Sequence, residues 1–143
     1  MSQRYLQLFD HYATTPYDFK AYRPQLVLIN LGTNDYSTII TPSVEQYVGA
    51  YVKLIELVRK QYGPIPVICI RPHSAGAYLS ASFKVLQQRL SAHKDVHFAE
   101  FMPGIITVDK DLGASYHPNY SGQQKLCMTL VPLVSAVMGW EIN

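Results

Sequence analysis

Leu26-Val27-Leu28-Ile29-Asn30-Leu31-Gly32 is the stretch that decides the fold class. The run is almost wholly apolar, lies between Pro24 and Gly32, and is too short for a typical helix. A half-exposed strand alternates apolar and polar residues, whereas a continuous run marks a strand buried on both faces, as in a parallel sheet. Downstream, Val44, Tyr47, Val48, Tyr51, Ile55 and Val58 recur at helical spacing between Ser43 and Tyr62. Two starts compete for this helix. Thr41 could cap it ahead of Pro42, or Ser43 and Gln46 could form a capping box. Gly63-Pro64 ends it. Pro66-Val67-Ile68-Cys69-Ile70 reads as a second buried strand. Leu79, Phe83, Leu86 and Leu90 give a second amphipathic helix, and Val96 to Phe101 a third strand, more polar and so nearer a sheet edge. A loop is predicted from Met102 to Pro118. The last helix starts near Asn119 or at Ser121, where Ser121 and Gln124 fit another capping box, and runs to Gly139 with Pro132 expected to bend it. Residues 1–25 show no steady period and read as loop with at most one short helix. Strands joined by crossovers this long are parallel with right-handed connections, so the class is α/β.

At 143 residues and 16.2 kDa the chain fits one domain, residues 1–143. Apolar residues make up 48% and charged residues 15%, which supplies a packed core and excludes global disorder. The net charge of +2 comes with no basic run, so no nucleic-acid partner is expected. No apolar stretch reaches the roughly 20 residues needed to cross a bilayer, and the opening MSQRYLQLFD has no apolar signal segment. No membrane partner is expected. Cys69 and Cys127 both sit in apolar runs and read as buried free thiols. No Gly-rich phosphate loop follows any strand, which leaves a generic flavodoxin-like ligand binder without support.

Ligands of open parallel sheets bind beyond the carboxyl ends of the strands. Two polar clusters fall there. Gly32-Thr33-Asn34-Asp35-Tyr36 follows the first strand, and Tyr116-His117-Pro118-Asn119 precedes the last helix. Gly32 permits a tight turn off the strand. An Asn so placed can offer its amide N–H to a developing oxyanion. An imidazole, which titrates near neutrality, can act as general base. The local chemistry leaves a plainer alternative open, in which Asn34 and Asp35 cap a turn and His117 fills a loop. His11, His73, His93 and His97 match no metal-ligand spacing and read as surface or packing residues, and no metal is expected.

Leu28-Ile29-Asn30-Leu31-Gly32-Thr33-Asn34-Asp35 resembles the third block of the SGNH, or GDSL, hydrolases. His117-Pro118-Asn119, followed by Ser121-Gly122-Gln123-Gln124-Lys125, resembles their last block. Within that superfamily the chain is most similar to the carbohydrate esterase family 2 deacetylases, whose pattern Tyr17-Asp18-Phe19-Lys20-Ala21-Tyr22-Arg23-Pro24 and Gly139-Trp140 also fit. The resemblance implies a three-layer flavodoxin-like fold and hydrolysis of carbohydrate or other small acyl esters without a cofactor. An extracellular source is plausible by the same resemblance. His117 then matches the general base, Asn34 the oxyanion donor and Tyr116 an aromatic position that borders the substrate site. Tyr36 joins it by proximity, and with Gly32 and Asp35 of the same turn completes the expected substrate-binding set.

The sequence departs from the family in what it lacks. The Gly-Asp-Ser block, whose serine is the nucleophile, has no counterpart, and neither does the second block, whose glycine N–H joins the oxyanion hole. The expectation is a truncated, C-terminal portion of the domain, with three strands and a sheet incomplete on its N-terminal side. Ser37, Ser74 and Ser115 lie in no Gly-flanked nucleophile turn. Cys69, inside a strand, is a poor thiolate candidate. The family's Asp three residues before the His is Ala114 here. Asp111 or Asp109 could fold back to orient His117, or a backbone carbonyl could do so. By resemblance, the first strand normally pairs with the nucleophile-bearing strand. A second copy in a homo-oligomer, a swapped element or the N-terminal segment is therefore expected to cover the Leu26–Leu31 edge. The alternative function is a non-catalytic remnant or carbohydrate-binding module.

Overall fold

The computed structural model describes residues 5–7 and 15–142. Three strands, β1 (Val27–Asn30), β2 (Val67–Arg71) and β3 (Val96–Glu100), form one parallel sheet in the order β1-β2-β3. Val27 lies opposite Val67, and Val67 opposite Val96. Helix α1 (Val44–Tyr62) connects β1 to β2, and α2 (Ala77–Arg89) connects β2 to β3. Strand order follows chain order without reversal, so right-handed crossovers lay both helices on one face. The short helix α3 (Val108–Asp111), a 3₁₀ turn at Ala114–Tyr116 and helix α4 (Tyr120–Met138) complete the chain. The result is the three-layer α/β architecture, with β3 at a sheet edge as its polarity predicts.

Strand alternation divides the core in two. Val67 and Cys69 of β2 join Ile29 and Val96 against Val48, Tyr51 and Ile55 of α1 and Leu79, Phe83 and Leu86 of α2. Ile68 and Ile70, facing the other way, meet Ala99, Phe101 and Leu126 of α4. The tyrosines of the first cluster are held at their polar ends. Tyr51 donates to the Ile29 carbonyl at 2.8 Å and Tyr47 to the Leu31 carbonyl at 3.3 Å. Burial raises both phenols well above their ordinary pKa. Cys69 is a free thiol pushed up to about 12, chiefly by burial, and so is inert as a nucleophile.

Several local expectations are corrected. The capping box of Ser43 and Gln46 wins over Thr41, with Gln46 N–H on the Ser43 hydroxyl and Ser43 N–H on the Gln46 amide. Asn119, not Ser121, caps α4, because the Ser121 hydroxyl is spent on Asp111. Helix α4 continues through Pro132. Met128, whose carbonyl Pro132 leaves without its helical donor, lies one turn earlier and is exposed. Cys127 is exposed rather than buried. The described part of the N-terminal stretch is loop tied by a bridge between Gln7 and Pro16, and His11 lies outside the described residues.

Candidate active site

Asn34 owes its place to the end of β1. Gly32 leaves the strand at φ +123°, where a side chain is strained, and a Cβ there would sit 2.7 Å from Leu79. The turn then closes through Tyr36 N–H to the Gly32 carbonyl at 3.2 Å. The Tyr36 ring packs edge-on against Tyr47, and its hydroxyl donates to Ser82 at 2.7 Å. This pins the turn to α1 and α2 and leaves Asn34 exposed at the rim.

His117 is positioned by a different device. Asp111 is a fully buried carboxylate that accepts from Thr107 N–H at 2.7 Å, Ser121 Oγ at 2.9 Å and Lys125 Nζ at 2.6 Å. The Lys125 hydrogen bond, with that from Thr107, outweighs burial and holds its pKa at about 2. Its backbone carbonyl accepts from Asn119 N–H at 2.8 Å. The Asn119 side chain donates to the carbonyls of Lys110 and Leu112 at 2.9 and 3.3 Å, and its oxygen caps α4 through Gly122 N–H at 3.1 Å. A Cβ at Gly122 would run into the Asp111 carbonyl, so glycine is needed for this contact. Gly113 N–H closes the loop on the His117 carbonyl at 2.7 Å. Ser115 and Tyr116, at φ 54° and 60°, occupy the left-handed region that costs non-glycine residues about 1–3 kcal/mol each. That turn projects His117 outward.

The two devices converge. A cleft of about 500 Å³ opens beyond the carboxyl ends of β1 and β2. Asn30, Thr33 and Asn34 form one wall, Pro72, His73 and Ser74 the next, and Ser115, Tyr116, His117 and Pro118 the third, with Gln123 and Leu126 of α4 below. Burial lowers the His73 pKa, and the proximity of His117 lowers it further, both favouring the neutral ring. Among the described residues no group of three or more His, Cys, Asp or Glu side chains is placed to hold a metal ion.

No family model matches the chain. A cellulase/esterase of Acetivibrio thermocellus, CelE, is 30% identical over 135 residues, which are 90% of this chain and 16% of that protein. A family two carbohydrate esterase from Clostridium thermocellum, solved in complex with cellohexaose, superposes with a TM-score of 0.78 at 29% identity over 91% of this chain and 41% of that one. A family 2 carbohydrate esterase of Myceliophthora fergusii gives 0.78 at 25% identity over 98% of this chain and 45% of that one. This chain is a relative of the family 2 carbohydrate esterases. It spans less than half the length of these solved relatives and a smaller share of the curated one.

Against the family 2 pattern, the structure brings together Asn34, Tyr116 and His117 and separates the rest of the expected set. Gly32 is buried beneath the turn, and Tyr36 points into the core. Asp35 lines a neighbouring groove with Thr38, Ile40 and Gln46, a groove that shares only Asn34 with the cleft. Asp111 does not orient the His117 ring. Its carboxylate is committed to Thr107, Ser121 and Lys125, and among the described residues nothing hydrogen-bonds to that ring. Asp111 instead ties the loop that carries His117. Of the serines, Ser37 donates to the Asn34 carbonyl at 3.1 Å, while Ser74 and Ser115 line the cleft without a hydrogen bond to His117. His73, expected at the surface or in packing, stands in the cleft wall. The signal was present in the sequence, since Arg71-Pro72-His73-Ser74 follows the second strand as Gly32-Thr33-Asn34 follows the first.

Proposed function

We propose that this chain supplies the general base and one oxyanion donor of an SGNH-type ester hydrolase acting on acetylated carbohydrate or another small acyl ester. The observation that carries the proposal is the convergence of Asn34 and His117 on one cleft at the carboxyl ends of a parallel sheet. In the reaction a serine hydroxyl attacks the ester carbonyl carbon while His117 takes its proton. The carbonyl oxygen becomes an oxyanion held by the Asn34 amide and by backbone N–H groups. Collapse of the tetrahedral intermediate breaks the bond to the alcohol oxygen, which His117 protonates. Water, deprotonated by His117, then releases the acyl group as its acid and restores the serine. A positioned base contributes typically about 10²–10⁴-fold, and one oxyanion donor about 2.7–4 kcal/mol. Both act on a nucleophile, and no serine among the described residues is hydrogen-bonded to His117.

That same observation favours a second reading for the isolated chain, as a binding module whose cleft and exposed Tyr116 face carbohydrate without turning it over. Initial rates on an aryl acetate separate the two. The chain alone is expected to show at most a trace rate. A longer polypeptide that places a Gly-Asp-Ser turn ahead of this sequence is expected to gain a robust one, which His117→Ala then lowers by about 10²–10⁴-fold. An inert longer polypeptide would leave the binding module as the surviving reading. A robust rate from the chain alone, with an acyl adduct mapped to Ser37, Ser74 or Ser115, would place the nucleophile within this sequence.

A further inference from the structure

His73 is a polar side chain of the cleft that the hydrolytic scheme does not use. Its position is fixed by three features. It follows directly on β2, the middle strand, whose residues Val67 to Ile70 are buried. Pro72 before it is buried and has its backbone φ locked by its own ring. The turn Pro72–Ala75 is closed by Ala75 N–H on the Pro72 carbonyl at 3.0 Å. The imidazole is half-buried in the cleft wall near His117.

A packing histidine pairs its ring nitrogens with protein groups, since a buried polar group without a partner is costly. Among the described residues no hydrogen bond reaches the His73 ring. The half-buried ring is thus uncommitted and opens on the cleft, where a bound ligand can meet it. A neutral imidazole offers one N–H and one lone pair, a combination that suits a hydroxyl, which both donates and accepts. Among the described residues no set of three ligating side chains stands by to hold a cation, and no Lys or Arg lines the cleft to pair with an anion. The side of the substrate also follows. Asn34 serves the acyl oxygen, whereas His117 must reach the leaving alcohol, so a group next to His117 faces the alcohol portion of the ester.

We propose that His73 is a specificity-determining residue of this cleft, its imidazole hydrogen-bonding a sugar hydroxyl on the alcohol side of the ester. The proposal rests on the carbohydrate-ester reading above and assigns to a side chain the discrimination between sugar alcohols and plain ones. A site built to bond a hydroxyl rejects the analogue that lacks it more strongly than an apolar pocket rejects an extra one.

The test reads the histidine ring resonances by ¹H–¹³C correlation while the chain is titrated with cellohexaose and, separately, with xylohexaose. His73→Gln and His117→Ala assign the two signals. The expected result is that one of the oligosaccharides moves both the His73 and the His117 ring signals. His73→Ala then weakens that binding about tenfold, and His73→Gln, which keeps a hydrogen-bonding group, recovers part of the loss. If His73→Ala loses the wild-type amide spectrum, the comparison rests on His73→Gln and on the ring shift itself. Movement of the His117 signal with a still His73 signal and unchanged affinity in the variants would overturn this proposal and leave the carbohydrate reading standing. Stillness of both rings with both oligosaccharides would overturn the two together.

Discussion

The two faces of the sheet are built differently. On one, α1 and α2 close over β1, β2 and β3 with a continuous set of fully buried side chains, from Val48 and Ile55 to Phe83 and Leu86. On the other, α4 buries Leu126 and Gly122, and from Thr129 onward it has no buried residue; Leu130, Leu133, Val134 and Val137 stay half-exposed. Leu28, which faces that side from β1, keeps 48% of its surface exposed. The candidate site spans both. Asn34 hangs from the well-packed face through Tyr36, and His117 from the lightly packed one through Asp111. Apolar packing holds the Asn34 wall of the cleft, and hydrogen bonds and charge hold the His117 wall.

The largest test of this contrast is Phe83→Ala. Phe83 is fully buried and meets Phe98 edge-on at 5.9 Å. Emptying the site removes transfer energy and leaves a cavity between α2 and β3, so unfolding by urea should show a loss of about 3–5 kcal/mol. Leu133→Ala, on the half-exposed side of α4, should cost about 1 kcal/mol by the same accounting, because less area leaves water on folding. Equal losses at the two positions would mean that α4 is as well covered as α2, and the contrast would fail.

Much of this was legible in the sequence. The continuous run Leu26–Leu31 and the punctuation of Gly63-Pro64 fixed strand and helix, because backbone geometry and burial act locally. Asn34 and His117 were legible because strand ends face one rim. What escaped detection depended on long-range pairing. Ser121 could not be known to choose Asp111 over a capping box without the loop between them. Tyr36 looked like a substrate contact because it neighbours Asn34, yet its hydroxyl reaches Ser82, 46 residues on. Cys127 lies in an apolar run but on the open side of a helix whose other cover the sequence does not name.

Titration should separate the faces by the sign of the pH response. On the α4 side, Asp111 is held at about 2, against an ordinary 3.8, first by Lys125 and then by Thr107. A depressed carboxylate contributes stability that is complete above its unfolded value and is lost as pH falls through its folded one. Loss between about pH 4 and pH 2 is expected, and Asp111→Asn should flatten that limb. On the α1 side, Cys69 is raised by burial from 9.0 to about 12, and Tyr51 and Tyr47 are raised for the same reason. Raised groups give stability that is complete below their unfolded values and lost as pH rises, so this face should weaken above about pH 9. Thermal melts across both limbs, with Cys69→Ala as the alkaline control, would show it. An acid limb indifferent to Asp111→Asn would mean that the His117 loop is held by packing after all.

The smallest effect belongs to Leu28. β1 pairs with β2 through Val27 N–H, which donates to the Pro66 carbonyl at 3.1 Å. By strand alternation Leu28 and Asn30 turn their backbone groups to the outer edge, where among the described residues no strand is paired. The Leu28 side chain, on the α4 side, is in the same position of being only partly covered. Leu28→Lys places a charge beside an open edge, a substitution that blunts edge pairing. If the edge is open in solution, urea unfolding should change by less than about 0.5 kcal/mol, as for an ordinary surface substitution, and sedimentation should show one unchanged species. If a second copy or another segment covers β1, the lysine must be buried on assembly. Stability would then fall by more than 1 kcal/mol, or a concentration-dependent dimer present in the wild type would disappear. The second outcome would make the lightly packed face an interface, and the contrast between the two faces would become one between an interior and a contact surface.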